Sequence, residues 1–276
     1  MRKSFMEIKS TIKDFENYLW EKELAKNTIK SYIDHVTKYF IKYDEITKST
    51  LIEWKRELLG VMKPKSVNHY ITAMSEYLKY IGSSDLVLKK VKVQTQNTVE
   101  NVISREEFDK LLKSLNDDGK MKMYYICLFL GKTGARVSEL RQFKKKDLLR
   151  GYAEIPTKGK IRRVYFCDSL RSEEVYSFFD VFKDDDFLFQ NRYGEQITTR
   201  GIAQQLINYA RKYGINEKVM HPHSFRHFFA IEFLKRDKDI SLLADLMGHS
   251  SINTTAIYLR LNKQQQIERL NNAMNF

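Results

Sequence analysis

Cysteine and proline are scarce in this chain: 2 Cys and 3 Pro in 276 residues, with only 11 Gly. Two thiols are too few for a disulfide-stapled secreted scaffold. Cys127 and Cys167 both sit among apolar residues and are expected as reduced core thiols. So little Pro and Gly excludes collagen-like and low-complexity classes. No apolar run reaches membrane-spanning length, and the opening MRKSFMEIKS has no hydrophobic signal core. A soluble, cytoplasmic protein without a membrane partner is the expectation. Acidic residues are also in deficit, 35 Asp and Glu against 48 Lys and Arg, for a net charge of +13. That excess favours a polyanionic partner. There is no P-loop, and no carboxylate cluster suited to two metal ions, so nucleotide-driven and two-metal nuclease chemistry lack their ligands.

What is present is mostly helical pattern, at a length that allows two ordinary domains. Ile8, Ile12, Phe15 and Leu19 share one helical face, as do Ile29, Ile33, Val36 and Phe40 after a cap at Asn27-Thr28. Leu51, Trp54 and Leu58 make a third stripe. Val67, Ile71, Met74, Leu78 and Ile81 make a fourth, entered after Pro64 and Ser66. Residues 1–95 therefore read as a four-helix, all-α domain. Lys22, Lys26, Lys30, Lys63 and Lys65 cluster near its helix starts with Asn27, Thr28, Ser66 and Asn68. That mixture suits phosphate contacts, although any single lysine serves equally well as a solvated surface group.

Periodicity then lapses in VLKKVKVQTQNTVEN, which places a linker at 96–103. Ser104 and Glu107 form a capping box that starts a second domain, 104–276. Met121 to Leu130 reads as a buried helix. Tyr152–Ile155 and Arg162–Phe166 are short strands with a bend at Lys158-Gly159-Lys160, and Phe187–Phe189 is a candidate third strand. The run Lys144-Lys145-Lys146 is expected as a solvated or backbone-contacting face. Thr198 or Thr199 caps a helix ending at Gly214.

The stretch His221 to Tyr258 carries the chemistry. Ser224 is the expected N-cap of a helix bearing Phe225, Phe228, Phe229 and Phe233. A short helix, Ile240 to Met247, stops at Gly248, so His249 falls in a turn, and Asn253-Thr254 cap the helical turns that bear Tyr258. Two histidines, an arginine and a tyrosine thus lie at helix ends, where they can meet one phosphate. His221, His223 and His227 are not expected to hold a metal, because the i, i+4 pair lacks the HExxH glutamate and a third ligand.

That order of residues resembles the tyrosine recombinase (phage integrase) family, whose second box reads H-x-L-R-H, L-G-H, then Tyr. Here it stands as His223-Ser224-Phe225-Arg226-His227, Met247-Gly248-His249 and Tyr258. The first box, T-G-x-R-x-x-E, stands as Thr133-Gly134-Ala135-Arg136-Val137-Ser138-Glu139. The family's hairpin lysine matches Lys158 in Thr157-Lys158-Gly159-Lys160, with Thr in place of a Gly. N-T-I-x-x-Y from Asn27 and S-V-N-x-Y-I from Ser66 are similar to the family's core-binding domain.

The resemblance implies a mainly α fold with a small β-sheet: an all-α helical-bundle core-binding domain and a mixed α/β catalytic domain with a C-terminal helical tail. It implies catalytic Arg136, Lys158, His223, Arg226, His249 and Tyr258, with Glu139 and His227 supporting them. DNA contacts would come from Lys26, Asn27, Thr28, Lys30, Lys65, Ser66 and Asn68. Attack of a phenol on a phosphodiester builds charge on the non-bridging oxygens, which guanidinium forks answer. Tyr258 would be the nucleophile, Arg136 and Arg226 the clamps, and His223 the base. His249 would bond the phosphate, and Lys158 would be the acid for the leaving 5′-oxygen. No cofactor or metal is expected. The implied partner is double-stranded DNA with specific core sites, bound by a homotetramer on synapsed DNA, with the protein monomeric when free. The implied task is DNA integration or excision. Alternatives are Xer-type chromosome or plasmid dimer resolution, a type IB topoisomerase-like enzyme, or a DNA-binding regulator that kept the fold without catalysis. The apolar tail residues Leu261, Ile267, Leu270, Met274 and Phe276 would dock on a neighbouring subunit or pack on their own domain.

Overall fold

A computed structural model of the chain describes residues 5–93, 101–157, 160–249, 251–259, 271 and 274. Contacts divide it into two units, Met1–Thr95 and Gln96–Phe276. The fold is mainly helical with one small antiparallel sheet.

The N-terminal unit holds α1 (Phe5–Glu21), α2 (Lys26–Lys42), α3 (Lys48–Val61) and α4 (Pro64–Tyr80). Apolar stripes at helical spacing turn inward, as burial of such a stripe requires. Phe15 and Leu19 meet Val36 and Phe40, with Leu51, Trp54 and Leu58 of α3 and Val67, Ile71, Met74 and Leu78 of α4. Helix α2 starts earlier than its sequence suggests. Ala25 is the N-cap, so Asn27 and Thr28 lie in the first turn, and no side chain caps it. Helix α4 likewise starts at Pro64, whose fixed φ suits a first helical position. Ile81, expected in the apolar stripe, is the C-cap and 37% exposed.

In the C-terminal unit the order is α5 (Arg105–Asp117), α6 (Met121–Thr133), α7 (Val137–Leu140), α8 (Lys145–Arg150), β1 (Tyr152–Thr157), β2 (Lys160–Tyr165) and α9 (Glu173–Phe179). Then come α10 (Thr199–Tyr213), α11 (Pro222–Arg236), α12 (Ile240–Met247) and α13 (Ile252–Ala256). The Ser104–Glu107 capping box opens α5. Ile103, within the stretch read as linker, is buried, and its N–H donates to Ser224 Oγ at 2.8 Å. Residues 96–100 of that stretch lie outside the described residues.

Among the described residues the sheet has two strands, paired from Tyr152↔Tyr165 to Thr157↔Lys160. The expected third strand is not one: Phe187 makes an isolated bridge to Lys144, and Leu188 and Phe189 turn into the core. The lysine run lies at the surface, where it is ion-paired. Lys144 and Lys146 pair with Asp185, and Lys145 pairs with Asp180 at 3.0 Å. Cys127 is buried as expected, but Cys167, just past β2, is exposed.

Gly134 ends α6 in the left-handed region at φ +60, and a Cβ there would fall 2.4 Å from the Phe229 ring. Gly134→Ala is therefore expected to combine left-handed strain of about 1–2 kcal/mol with a steric clash. Gly119→Ala, at φ +64 with open space around it, meets the strain alone. Thermal denaturation should show the larger fall in stability for Gly134→Ala.

Candidate active site

Helix α11 organises the site. Its N-cap is His221, whose Nδ1 accepts the Ser224 N–H at 3.1 Å, and Pro222 occupies the first turn. Ser224 is thus not the cap the sequence pattern predicts. It lies inside the helix, buried, with its hydroxyl turned to Ile103. The helix carries His223, Arg226 and His227 on successive turns.

Arg226 is 2% exposed, an unusual place for a guanidinium unless its donors are met. Nη1 donates to the Gly134 carbonyl and Nη2 to the Met247 carbonyl, each at 2.6 Å. Both acceptors are carbonyls at the C-terminal ends of helices, α6 and α12, where cations are favoured. One side chain therefore ties the first box to the segment leading into His249. Burial, with Arg136 and Arg162 nearby, pushes Arg226 down to about 10, which leaves it charged at neutral pH.

Arg136 sits at the N-cap of α7. Its backbone N–H donates to Glu139 Oε2 at 2.7 Å, and its Nη1 to Glu139 Oε1 at 2.8 Å. Its side chain is 44% exposed while that of Glu139 is 4% exposed, so the carboxylate is the fixed anchor of the pair. Burial works to raise Glu139, but its contacts with Arg162 and Arg136 outweigh it and hold the carboxyl below its ordinary range.

Tyr258 comes after α13 in a single 3-10 turn and reaches back to α11. Its hydroxyl is 2.7 Å from His227 Nδ1, and the rings are 5.4 Å apart. His223 packs edge-on against His227 with centroids 4.4 Å apart. His249 is oriented by a 2.7 Å bond between its Nδ1 and Oγ1 of the buried Thr255 on α13. Burial lifts the Tyr258 phenol to about 12 against the pull of Arg226. Burial, aided by His223, His221, Arg226 and His249, drops His227 to about 4. Burial and the three arginines drop His249 to about 4 as well. At neutral pH the site thus holds a protonated phenol beside a neutral imidazole.

These shifts fix the sign of a pH effect. Both imidazoles stay neutral in the fold down to about 4 but bind a proton near 6.5 when unfolded, so unfolding takes up protons between those values. Their contribution is complete above the unfolded value and is lost as pH falls toward 4. Melting temperatures across that window should fall, and His227→Asn should flatten part of the slope.

The sequence pattern of the phage integrase family matches residues 101–265, well over half of the chain. The chain belongs to the phage integrase family. Its tyrosine recombinase relatives include XerD of Listeria monocytogenes, 27% identical over 91% of this chain and 94% of that protein. Another is XerA of Pyrococcus furiosus, 27% identical over 94% of this chain and 93% of that one. The crystal structure of XerA recombinase matches with a TM-score of 0.54 and 25% identity over 98% and 99% of the two chains. A lambda integrase tetramer bound to a Holliday junction shares the fold at TM-score 0.72, with 13% identity over 93% of this chain and 79% of that one. The chain is accordingly an Xer-like, two-domain tyrosine recombinase, a site-specific DNA recombinase. Among the described residues no group of three His, Cys, Asp or Glu side chains is arranged to hold a metal, and no helix is long and apolar enough to cross a membrane.

In this tyrosine recombinase Arg136, His223, Arg226, His249 and Tyr258 gather around α11. Lys158 lies outside the described residues, as do Leu261, Ile267, Leu270 and Phe276. Asn253 and Thr254 are inside α13, whose N-cap is Ser251. The tyrosine's partner is His227, read from sequence only as a supporting residue. The residue missed altogether is Arg162, buried on the inner face of the hairpin and bonded to Glu139. Strand alternation held the signal, since Arg162 shares its face with Val164 while its neighbour Arg163 points outward.

Proposed function

We propose that this recombinase cuts DNA by attack of the Tyr258 phenol on a phosphodiester, forming a 3′-phosphotyrosyl bond and releasing a 5′-hydroxyl. The observation that carries this reading is the 2.7 Å bond between Tyr258 and neutral His227 beside the Arg226 charge. Nucleophile, proton acceptor and cation share one place. As the O–P bond forms, the phenol proton passes to His227 Nδ1 and the bond from phosphorus to the 5′-oxygen breaks. Arg136, the N–H groups of Arg226 not engaged by carbonyls, and Nε2 of His249 answer the charge on the non-bridging oxygens. The exposed His223 would bind at the same phosphate. Lys158, by its match to the family's hairpin lysine, would protonate the leaving oxygen. The phosphotyrosyl bond conserves the energy of the one broken, so rejoining needs no nucleotide cofactor.

The N-terminal unit would grip the duplex flanking the cut. Lys26, Asn27, Thr28 and Lys30 lie in the first turns of α2, and Lys65 and Ser66 in the first turn of α4. Neither helix has a side-chain cap, so free N–H groups and lysines are available together to phosphates. Asn68 is otherwise engaged: its amide donates to the Val91 carbonyl at 2.9 Å and accepts the Val91 N–H at 2.8 Å. It serves the unit's own packing rather than a groove. Recombination would proceed by strand exchange in a homotetramer on two synapsed duplexes, assembled in the cytoplasm from free monomers. The tetrameric lambda integrase of the same fold supports that assembly.

The task would be integration or excision of a mobile element. Its Xer relatives favour chromosome or plasmid dimer resolution as the second reading. The test is to incubate the protein with DNA flanking its gene in the presence of a chelator, trap the adducts and sequence their ends. Protein on 3′ ends at one discrete site is expected, undiminished by chelation. Strict magnesium dependence, or adducts scattered without sequence preference, would contradict the reading.

A further inference from the structure

Arg162 is a full guanidinium, 9% exposed, on a hairpin face otherwise made of Ala153, Ile155 and Val164. A buried cation is costly unless its donors are met. Nη1 donates to Glu139 Oε2, and Nη2 to the Leu246 carbonyl at 2.8 Å. Nε has no hydrogen-bond partner among the described residues and lies against Gly248, where an added Cβ would stand 2.4 Å from it. The only residue that leaves room for this guanidinium thus sits between Met247 and His249. Glu139, gripped from one side by Arg162, holds Arg136 from the other through both backbone and side chain. An unbroken chain of bonds runs from the end of α12 through the hairpin to Arg136.

We infer that Arg162 is a positioning residue for strand cleavage: it locks the Glu139 carboxylate so that Arg136 presents its guanidinium to the scissile phosphate in one orientation. This rests on the proposed role of Arg136 at the phosphate. Arg162 is too buried to touch DNA itself. Its effect is exerted through a carboxylate that cannot turn while both oxygens are held. Arg136, long and half exposed, depends on that anchor for its aim. Displacement of a charge-stabilising group by about 1 Å lowers a rate by about a hundredfold.

The test uses the mapped cleavage site in a nicked oligonucleotide duplex, once with an ordinary phosphate and once with a methylphosphonate at the scissile position. The methylphosphonate lacks the anionic oxygen and so has less need of a second guanidinium. Arg162→Gln and Arg162→Lys are compared with Arg136→Ala, with folding checked by thermal melting. Folded Arg162 variants are expected to lose about a hundredfold on the phosphate duplex and much less on the methylphosphonate, the same split as Arg136→Ala. A folded variant that keeps the wild-type rate on both, or loses both by one factor, overturns the inference. If Arg162→Gln does not fold, Arg162→Lys carries the comparison, since it keeps a charge against Glu139 but cannot also reach the Leu246 carbonyl. Wild-type protein that forms no adduct at Tyr258 removes the reading of the site and this inference with it. A wild-type adduct with unaltered Arg162 variants removes this inference alone.

Discussion

Tyr258→Phe is expected to bind DNA as the wild type does and to form no covalent complex with it. The substitution removes one oxygen and leaves the ring, so packing against α11 is retained. Loss of the His227 bond costs about 1–3 kcal/mol of stability, since the half-buried His227 nitrogen is left without its partner. Cleavage, by contrast, loses its nucleophile. Removal of an enzymatic nucleophile elsewhere lowers turnover on the order of a millionfold, far below what a gel-based adduct assay detects. Mobility-shift and denaturing-gel measurements on the same duplex separate the two effects. A covalent band of normal intensity from Tyr258→Phe would move the nucleophile elsewhere.

Arg226→Ala is expected to damage fold and reaction together, and Arg226→Lys to separate them. The guanidinium satisfies the Gly134 and Met247 carbonyls while standing 2% exposed. Truncation to Ala leaves two buried acceptors unpaired, at about 1–3 kcal/mol each, and opens a void between the two boxes. Lysine keeps a positive charge but cannot fork to both carbonyls. Its stability should lie between those of Ala and the wild type. Cleavage by either variant should drop about a hundredfold or more, the usual cost of losing one aimed charge-stabilising donor. Melting curves and single-turnover cleavage rates give the two quantities independently. Wild-type cleavage by a folded Arg226→Lys would mean that the fork geometry is irrelevant to the phosphate.

Legibility in the sequence obeys physical rules. Helix α12 and its stop at Gly248 were readable to the residue, because a left-handed C-cap is a local requirement that sequence states directly. So was the Ser104–Glu107 capping box. The start of α11 was not: Ser224 is a strong cap by type, but Pro222 needs no N–H bond and His221 can cap with Nδ1, so the helix begins earlier. The pairing of Tyr258 with His227 depends on where a later turn returns in space, which spacing does not state. Arg162 stood in the sequence only as the first residue of a short strand, and its burial emerges only once β2 has an inner face and Glu139 stands behind it. Asn68 matched a DNA-binding pattern, yet its amide is matched to the Val91 backbone, a partner 23 residues away.

The central claim is that one phenolic oxygen, on Tyr258, becomes joined to DNA. Protease digestion of the trapped complex, with mass spectrometry of the nucleotide-bearing peptide, tests it most directly. The account predicts a single modified residue, Tyr258, attached to a 3′-phosphate. A nucleotide on any other residue, or a link to a 5′-phosphate, would contradict it.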